Sequence, residues 1–366
     1  MEKLISLFAI LLVSQSTFAQ AQSEIKTRIK GDLRIRQESI EAEGVSGHDN
    51  YDQLRLRARL SFLSHVNDQI STEVRLATGS GGTSTNQTLG DSTSTNTQNY
   101  DFKLDRAYAQ YKPNDGLLAR MGRTVNPYVL VANNSLLFDS DLNFDGLSAQ
   151  YALQKGPLLY HVIAAHSILH ESKGSNTSKD AFLDSLELAI QHDWSSSFIL
   201  FTVSEHLFKG IKGNTSLVGS QFQGNSNDGT NFIKNYDVTS LGLEYHVGEF
   251  YLPMSFYAEW AQNNRVSKNN KASIYGIVLN HIKKRGDWMV SIDNREIQMD
   301  STLGALTDTD SFGGGADGRS LNALVSYALE DSVTFTASYY NGQIQIAQGE
   351  SKKTRNKFLL DLAVQF

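Results

Sequence analysis

From about residue 24 onward, oily and charged side chains take turns along the chain. In 24–38 the apolar positions Ile25, Ile29, Leu33 and Ile35 are interleaved with Lys26, Arg28, Lys30, Asp32, Arg34 and Arg36. In 51–64 Leu54, Leu56, Ala58, Leu60 and Phe62 are interleaved with Arg55, Arg57 and Arg59. A period of two puts one set on each face of a β-strand. The pattern returns about sixteen times, over 24–38, 51–64, 70–79, 102–112, 117–125, 143–153, 158–168, 181–192, 197–207, 236–247, 253–263, 272–283, 287–297, 319–329, 333–342 and 354–366. In 102–112 and 197–207 the apolar parity is ambiguous.

The connections alternate as well. Short ones lie near 65–69, 112–116, 154–157, 193–196, 248–252, 284–286 and 330–332, and long polar ones at 39–50, 79–101, 126–142, 169–180, 208–235, 264–271, 298–318 and 343–353. A soluble sandwich also alternates, but its strands average about 5–6 residues, whereas a tilted membrane-crossing strand needs roughly 9–11. Short turns at one rim and long loops at the other belong to a membrane barrel. Pro113, Pro157 and Pro253 fall at or beside short turns, where no ladder donor is lost. Trp194, Tyr251, Trp260, Trp288, Tyr327 and Tyr339 sit near segment ends, where amphipathic rings suit the headgroup level. The fold expected is all-β: a closed antiparallel transmembrane barrel of about sixteen strands, with short periplasmic turns and long extracellular loops. A sheet in hydrocarbon must close, and at this strand number it encloses an aqueous channel.

Composition narrows the chemistry. The absence of cysteine removes disulfide scaffolds, thiolate metal sites and cysteine nucleophiles, and a formal charge of -6 without a long basic tract argues against a nucleic-acid partner. No stretch reaches the roughly 18 apolar residues of a spanning helix. The longest apolar run, Leu4–Val13, follows Lys3 and precedes Ala19-Gln20-Ala21, the layout of a secretory signal peptide over 1–21, with cleavage after Ala19 or Ala21 and the barrel over 22–366.

If the apolar face meets lipid, the charged face lines the lumen. Arg28, Lys30, Arg34, Arg36, Arg55, Arg57, Arg59 and Arg75, joined by Arg106 and Arg120, then form a basic wall. Pairing the first two strands around 39–50 brings Arg34 and Arg36 to Arg57 and Arg55. Like charges about 6.8 Å apart repel by about 0.6 kcal/mol in bulk water and about 2.4 at an effective dielectric of 20, so the wall needs water or counter-charge. Counter-charge is expected from Asp139, Asp141 and Asp145, with 126–142 folding inward as a constriction and Gly146 supplying a bulge where the parity changes. Such a field orients dipolar solutes, and the wall favours anions modestly.

Sharper chemistry fits less well. Asp139-x-Asp141-x-Asn143 opens like a calcium loop, but Phe144 and Gln150 replace its Gly and Glu. His166 and His170 beside Glu171 lack the order and the helix of a zinc protease, and no Gly-x-Ser-x-Gly or phosphate loop is present. No metal, cofactor or enzymatic activity is expected.

Several runs are similar to bacterial outer-membrane proteins of the putative porin family: Arg55–Leu60, Arg75–Gly81, Ser84–Asp91, Leu104–Tyr111, Ala119–Arg123 with Asn126-Pro127, and Leu137–Asp141 through Gly146–Tyr151. They cover about residues 30–155. The end at Phe366, preceded by alternating apolar residues, resembles the barrel-assembly signal of outer-membrane proteins. The resemblance implies passive diffusion of small hydrophilic solutes, and often a homotrimer. The expected partners are outer-membrane lipid, such solutes and ions. The alternative is a structural or adhesive surface protein whose lumen is occluded.

Overall fold

The computed structural model of the protein describes residues 25–44, 50–79, 84–90, 99–174, 179–217, 221–248, 251–347 and 353–366. The leader expected at 1–21 lies outside the described residues. Sixteen long strands follow in order: β1 Lys26–Glu43, β2 Tyr51–His65, β3 Ile70–Thr78, β4 Phe102–Tyr111, β5 Leu117–Val125, β6 Asn143–Lys155, β7 Leu158–His170 and β8 Ala181–Trp194. The second half comprises β9 Ser197–Lys209, β10 Tyr236–Val247, β11 Met254–Asn263, β12 Lys271–Leu279, β13 Trp288–Ile297, β14 Gly318–Glu330, β15 Val333–Ile344 and β16 Lys353–Gln365. A two-residue piece, Gln87–Thr88, adds to β2.

Each strand pairs antiparallel with the next, and β16 returns to β1 from Asp32↔Gln365 to Glu43↔Thr354, closing the cylinder. The seam is finished by Phe366, whose N–H and carbonyl both bond to Gly31, at 3.0 and 2.8 Å. A Cβ at position 31 would meet the tip of the Phe366 ring and come within 2.9 Å of the Arg59 carbonyl, so glycine eases the close approach at the seam. Among the described residues every long strand has a partner strand on both sides, as a sheet in hydrocarbon demands.

The period-two reading holds in space. Ile29, Leu33, Leu186, Leu188, Phe201, Leu243, Leu321 and Val325 are exposed on the outside, while Arg36, Arg57, Ser185, Ser240, Glu244 and Ser326 on the opposite parity are buried. Trp194 stacks on Tyr245 at 6.0 Å, and Trp288 lies opposite Tyr327, near the short-turn rim.

The two ambiguous segments have physical causes. In β4, Arg106 pairs with Arg75 and Leu104 with Leu76, leaving Asp105 as an inserted residue. That bulge switches the inward set, so Asp105 and Arg106 both face inside. In β9 the inward positions include Leu200 and Phe208, both buried, and Phe208 packs into apolar surroundings inside the barrel.

The bulge expected at Gly146 is absent. The β5–β6 ladder runs through Gly122↔Gly146 without a register shift. Both glycines have positive φ, 123° and 155°, and the two strands absorb the kink together. A Cβ on Gly146 would strike the His166 carbonyl. Gly146→Ala is therefore expected to destabilise the barrel by more than about 1 kcal/mol, seen as an earlier urea midpoint for its heat-modifiable band. An unchanged midpoint would show that the kink tolerates a side chain.

Candidate channel interior

The first two strands carry the basic wall because their inward positions are consecutive even residues on β1 and odd residues on β2. The register sets Arg34 opposite Arg57 and Arg36 opposite Arg55. Five carboxylates rooted in the barrel strands answer this repulsion. Asp32 bridges Arg57 (3.0 Å) and Arg59 (2.6 Å). Asp361 of β16 accepts both Nε and Nη2 of Arg36, at 2.7 and 2.8 Å. Glu38 takes Arg55 at 3.2 Å, Asp105 pairs with Arg75, and Glu73 lies 3.8 Å from Arg106. A bidentate guanidinium–carboxylate pair is among the stronger charge contacts. The sequence does contain this signal, since Asp32, Glu73 and Asp361 share parity with the basic residues of their own strands.

The remaining wall residues differ. Arg120 donates to Gln110 at 3.0 Å and lies 6.0 Å from the Tyr108 ring centroid. Arg28 and Lys30 are exposed toward the short-turn rim and make no ion pair among the described residues.

Residues 126–142 run inside the cylinder. Three inward carboxylates on successive parts of the barrel hold their backbone: Glu187 of β8 accepts Val129 N–H at 2.8 Å, Glu244 of β10 accepts Ala132 N–H at 2.6 Å, and Glu259 of β11 accepts Leu136 N–H at 2.9 Å. Asn134 reaches Tyr257 (3.1 Å) and accepts from Arg295 (2.8 Å). Tyr128 stacks on Phe138 at 5.2 Å, with Phe144 and His206 edge-on. Leu136 and Leu137 are fully buried. The buried apolar cluster draws on 126–142, on β6–β13 and on the two long loops 210–235 and 298–317. No described residue of β1–β5 or β16 belongs to it.

The loop's acidic tip reaches the wall through Asp141, 3.4 Å from Arg57 and 3.3 Å from Arg59. Burial pushes the Asp141 carboxyl up, yet Arg57, Arg59 and Arg34 hold it below the usual carboxylate range. Asp139 makes no ion pair among the described residues; its Oδ1 accepts Asp141 N–H at 2.9 Å. Burial, and then the neighbouring carboxylates of Asp308, Asp141 and Asp310, push it up to about 6. Asp145 stands apart on β6: it pairs with Arg123 at 2.7 Å, half exposed, and does not touch the wall. Asn143 bonds Asp105 and Arg106, so the Asp-x-Asp-x-Asn run does not converge on one centre.

A second acidic tip escaped the sequence reading. In 298–317, Asp308 pairs with Arg295 (3.3 Å), and Asp310 with Lys357 (3.1 Å) and Arg36 (3.3 Å). Burial works against ionising Asp310, but Lys357 and Arg36 hold it well below the usual range. Asp139 N–H donates to Leu306 carbonyl at 2.8 Å, joining the two loops. The Asp308-Thr309-Asp310 spacing repeats that of Asp139-Ser140-Asp141, the one sequence signal that marks it.

Comparison with known proteins agrees with this architecture. A loop-deletion mutant of OmpT, an outer membrane protein of Vibrio cholerae, superposes with a TM-score of 0.53 at 12% identity, covering 94% of this chain and all of the other. A multiply substituted Rh. blastica porin gives 0.50 at 11% identity over 93% and 100%. No curated protein matches the chain in sequence. The fold is thus that of a sixteen-stranded porin-like barrel, and such a barrel is consistent with the outer membrane. The model of the family described as Putative porin matches residues 36–235 and 260–366, and the chain belongs to that family.

Proposed function

We propose that the protein is a non-enzymatic outer-membrane channel for passive diffusion of small hydrophilic solutes and ions, exported with the help of its N-terminal leader and assembled as a homotrimer. One observation carries the reading: apolar packing fills only the β6–β13 side of the cylinder, while β1–β5 and β16 present charged side chains along their inner face. We place the path for solute along this charged face, beside the contacts between the acidic tips and the arginines. Asp139, Asp141, Asp308 and Asp310 stand on one side of it. Asp145 is assigned to the rim above Arg123. Across a few ångströms the two signs create a transverse field in a low-dielectric wall. Small zwitterions and anions suit it better than large neutral solutes.

The occluded scaffold has one observation in its favour: Asp141 and Asp310 touch the wall directly, so their ion pairs cross the gap. Planar-bilayer recording separates the two. Stepwise conductance in potassium chloride supports the channel, and silence from correctly folded protein supports the scaffold.

The Asp139 carboxyl gives the channel a pH signature. Its raised value means that the group is charged above about pH 6 and neutral below it, whereas Asp141 and Asp310 stay ionised throughout that window. Lowering the pH from 7 to 5 removes one negative charge from the tip, so the reversal potential in a salt gradient is expected to move toward anions. Asp139→Asn should remove the part of that step that the loop tip contributes and shift the pH 7 value toward the low-pH one. A step that survives the substitution in full would assign it to another group.

A further inference from the structure

At the long-loop rim over β10 and β11, residues 212, 226, 233–235, 264–269 and 300 border an open cleft of about 850 Å³. Lys212, Lys234, Arg265 and Lys268 line it, with Asn264 and Asn269 between them. Arg265 pairs with Asp237. The three lysines make no ion pair among the described residues. The carboxylate in the floor, Asp300, is spent on neutral donors: Ser226 N–H (3.0 Å), Ser226 hydroxyl (2.5 Å) and Tyr236 hydroxyl (3.0 Å). Asp300 and Asp237 offset two of the four positive charges, so the cleft keeps a surplus of two.

Its height on the barrel decides what meets it. Asp237 lies on the outward face of β10, in parity with the exposed Leu241, Leu243 and Tyr245. Leu241 is four residues below, about 13 Å at roughly 3.3 Å per residue. The cleft thus begins where the apolar belt ends. On the neighbouring strands the outward face at the same level is also polar: Asp184 pairs with Lys209 and with His166. Arg265, which lines the cleft and pairs with the outward Asp237, ties this basic lining to the top of the leucine belt, and such a border matches an amphiphile with acyl chains and an anionic head.

We propose that this cleft binds the phosphorylated sugar headgroup of an outer-leaflet glycolipid. Lysines bind phosphate as mobile point charges, and the asparagine amides between them suit sugar hydroxyls. The cavity is far larger than a single phosphate ion, which favours a sugar-sized head. The inference rests on the outer-membrane reading but not on conduction.

The full mature chain, folded in detergent, is titrated with bisphosphorylated lipid A, with phosphatase-treated lipid A and with inorganic phosphate, and binding is read by native mass spectrometry. The bisphosphorylated lipid should bind, and the combined substitution Lys212→Gln, Lys234→Gln and Lys268→Gln should weaken it by at least about tenfold, since each basic residue near a charged lipid surface contributes substantially. The same three neutralisations at the opposite rim, Lys112→Gln, Lys155→Gln and Lys283→Gln, should leave binding unchanged. Equal binding of the dephosphorylated lipid, equal loss at the two rims, or full occupancy by inorganic phosphate alone would each overturn the proposal. Bilayer conductance of the same preparations reports on the channel separately, so the two readings fail independently.

Discussion

Deleting residues 128–138 is expected to raise single-channel conductance by at least about twofold, because it removes one of the loops packed inside a cylinder of sixteen strands, wide enough for an aqueous channel. Those residues contribute Tyr128, Leu136, Leu137 and Phe138 to the packed half of the lumen. Each such side chain stabilises the loop by about 1.5–3 kcal/mol through burial, and that stabilisation seats the loop rather than the barrel. The ladder of sixteen paired strands is untouched, so the variant should keep its heat-modifiable mobility. Glu187, Glu244 and Glu259 would then face water instead of loop N–H groups. Conductance equal to that of the parent would mean that 126–142 does not set the pore.

Reversing one charge at the wall should have the second largest effect. Arg57 is the meeting point of Asp32 and Asp141 and lies opposite Arg34. Arg57→Glu places a third carboxylate among two and removes one of the two guanidiniums, Arg57 and Arg59, that they share. The anion-to-cation permeability ratio, read from the reversal potential across a salt gradient, is expected to fall by about three- to tenfold, as a field focused between low-dielectric walls implies. Arg123→Glu, at the rim with Asp145, should move it far less. A ratio unmoved by Arg57→Glu would take this residue out of the conduction path.

The barrel was legible in the chain because lipid and water impose opposite demands on neighbouring residues. Strand existence, the alternation of short and long connections, and even the pairing of Arg34 with Arg57 follow from that one constraint. Ends were less legible: β1 runs on to Glu43, past the expected 38, and β12 stops at Leu279, short of 283, since alternation fades where side chains leave the bilayer. Three features lay beyond the pattern. A single inserted residue, Asp105, cannot be distinguished from noise in a strand of ten. The carboxylates that clamp 126–142 come from three strands well beyond the loop in sequence, and each alone resembles any other inward polar position. Asp308 and Asp310 sit in a loop whose composition reads as solvent-exposed, though Arg36, Arg295 and Lys357 draw them inside. The wall acids Asp32, Glu73 and Asp361 were visible by parity; the error was to look for counter-charge only in the loop.

The native chain has no cysteine, so single cysteines report directly on which way a side chain looks. Asp141→Cys and Leu243→Cys can each be treated in a bilayer with a charged, water-soluble thiol reagent and with a lipid-soluble one. Asp141→Cys should react with the charged reagent and change the current, while Leu243→Cys should resist it and take up only the lipid-soluble probe. The reverse pattern, with charged reagent modifying position 243 and sparing position 141, would contradict an oily exterior around an ionic lumen.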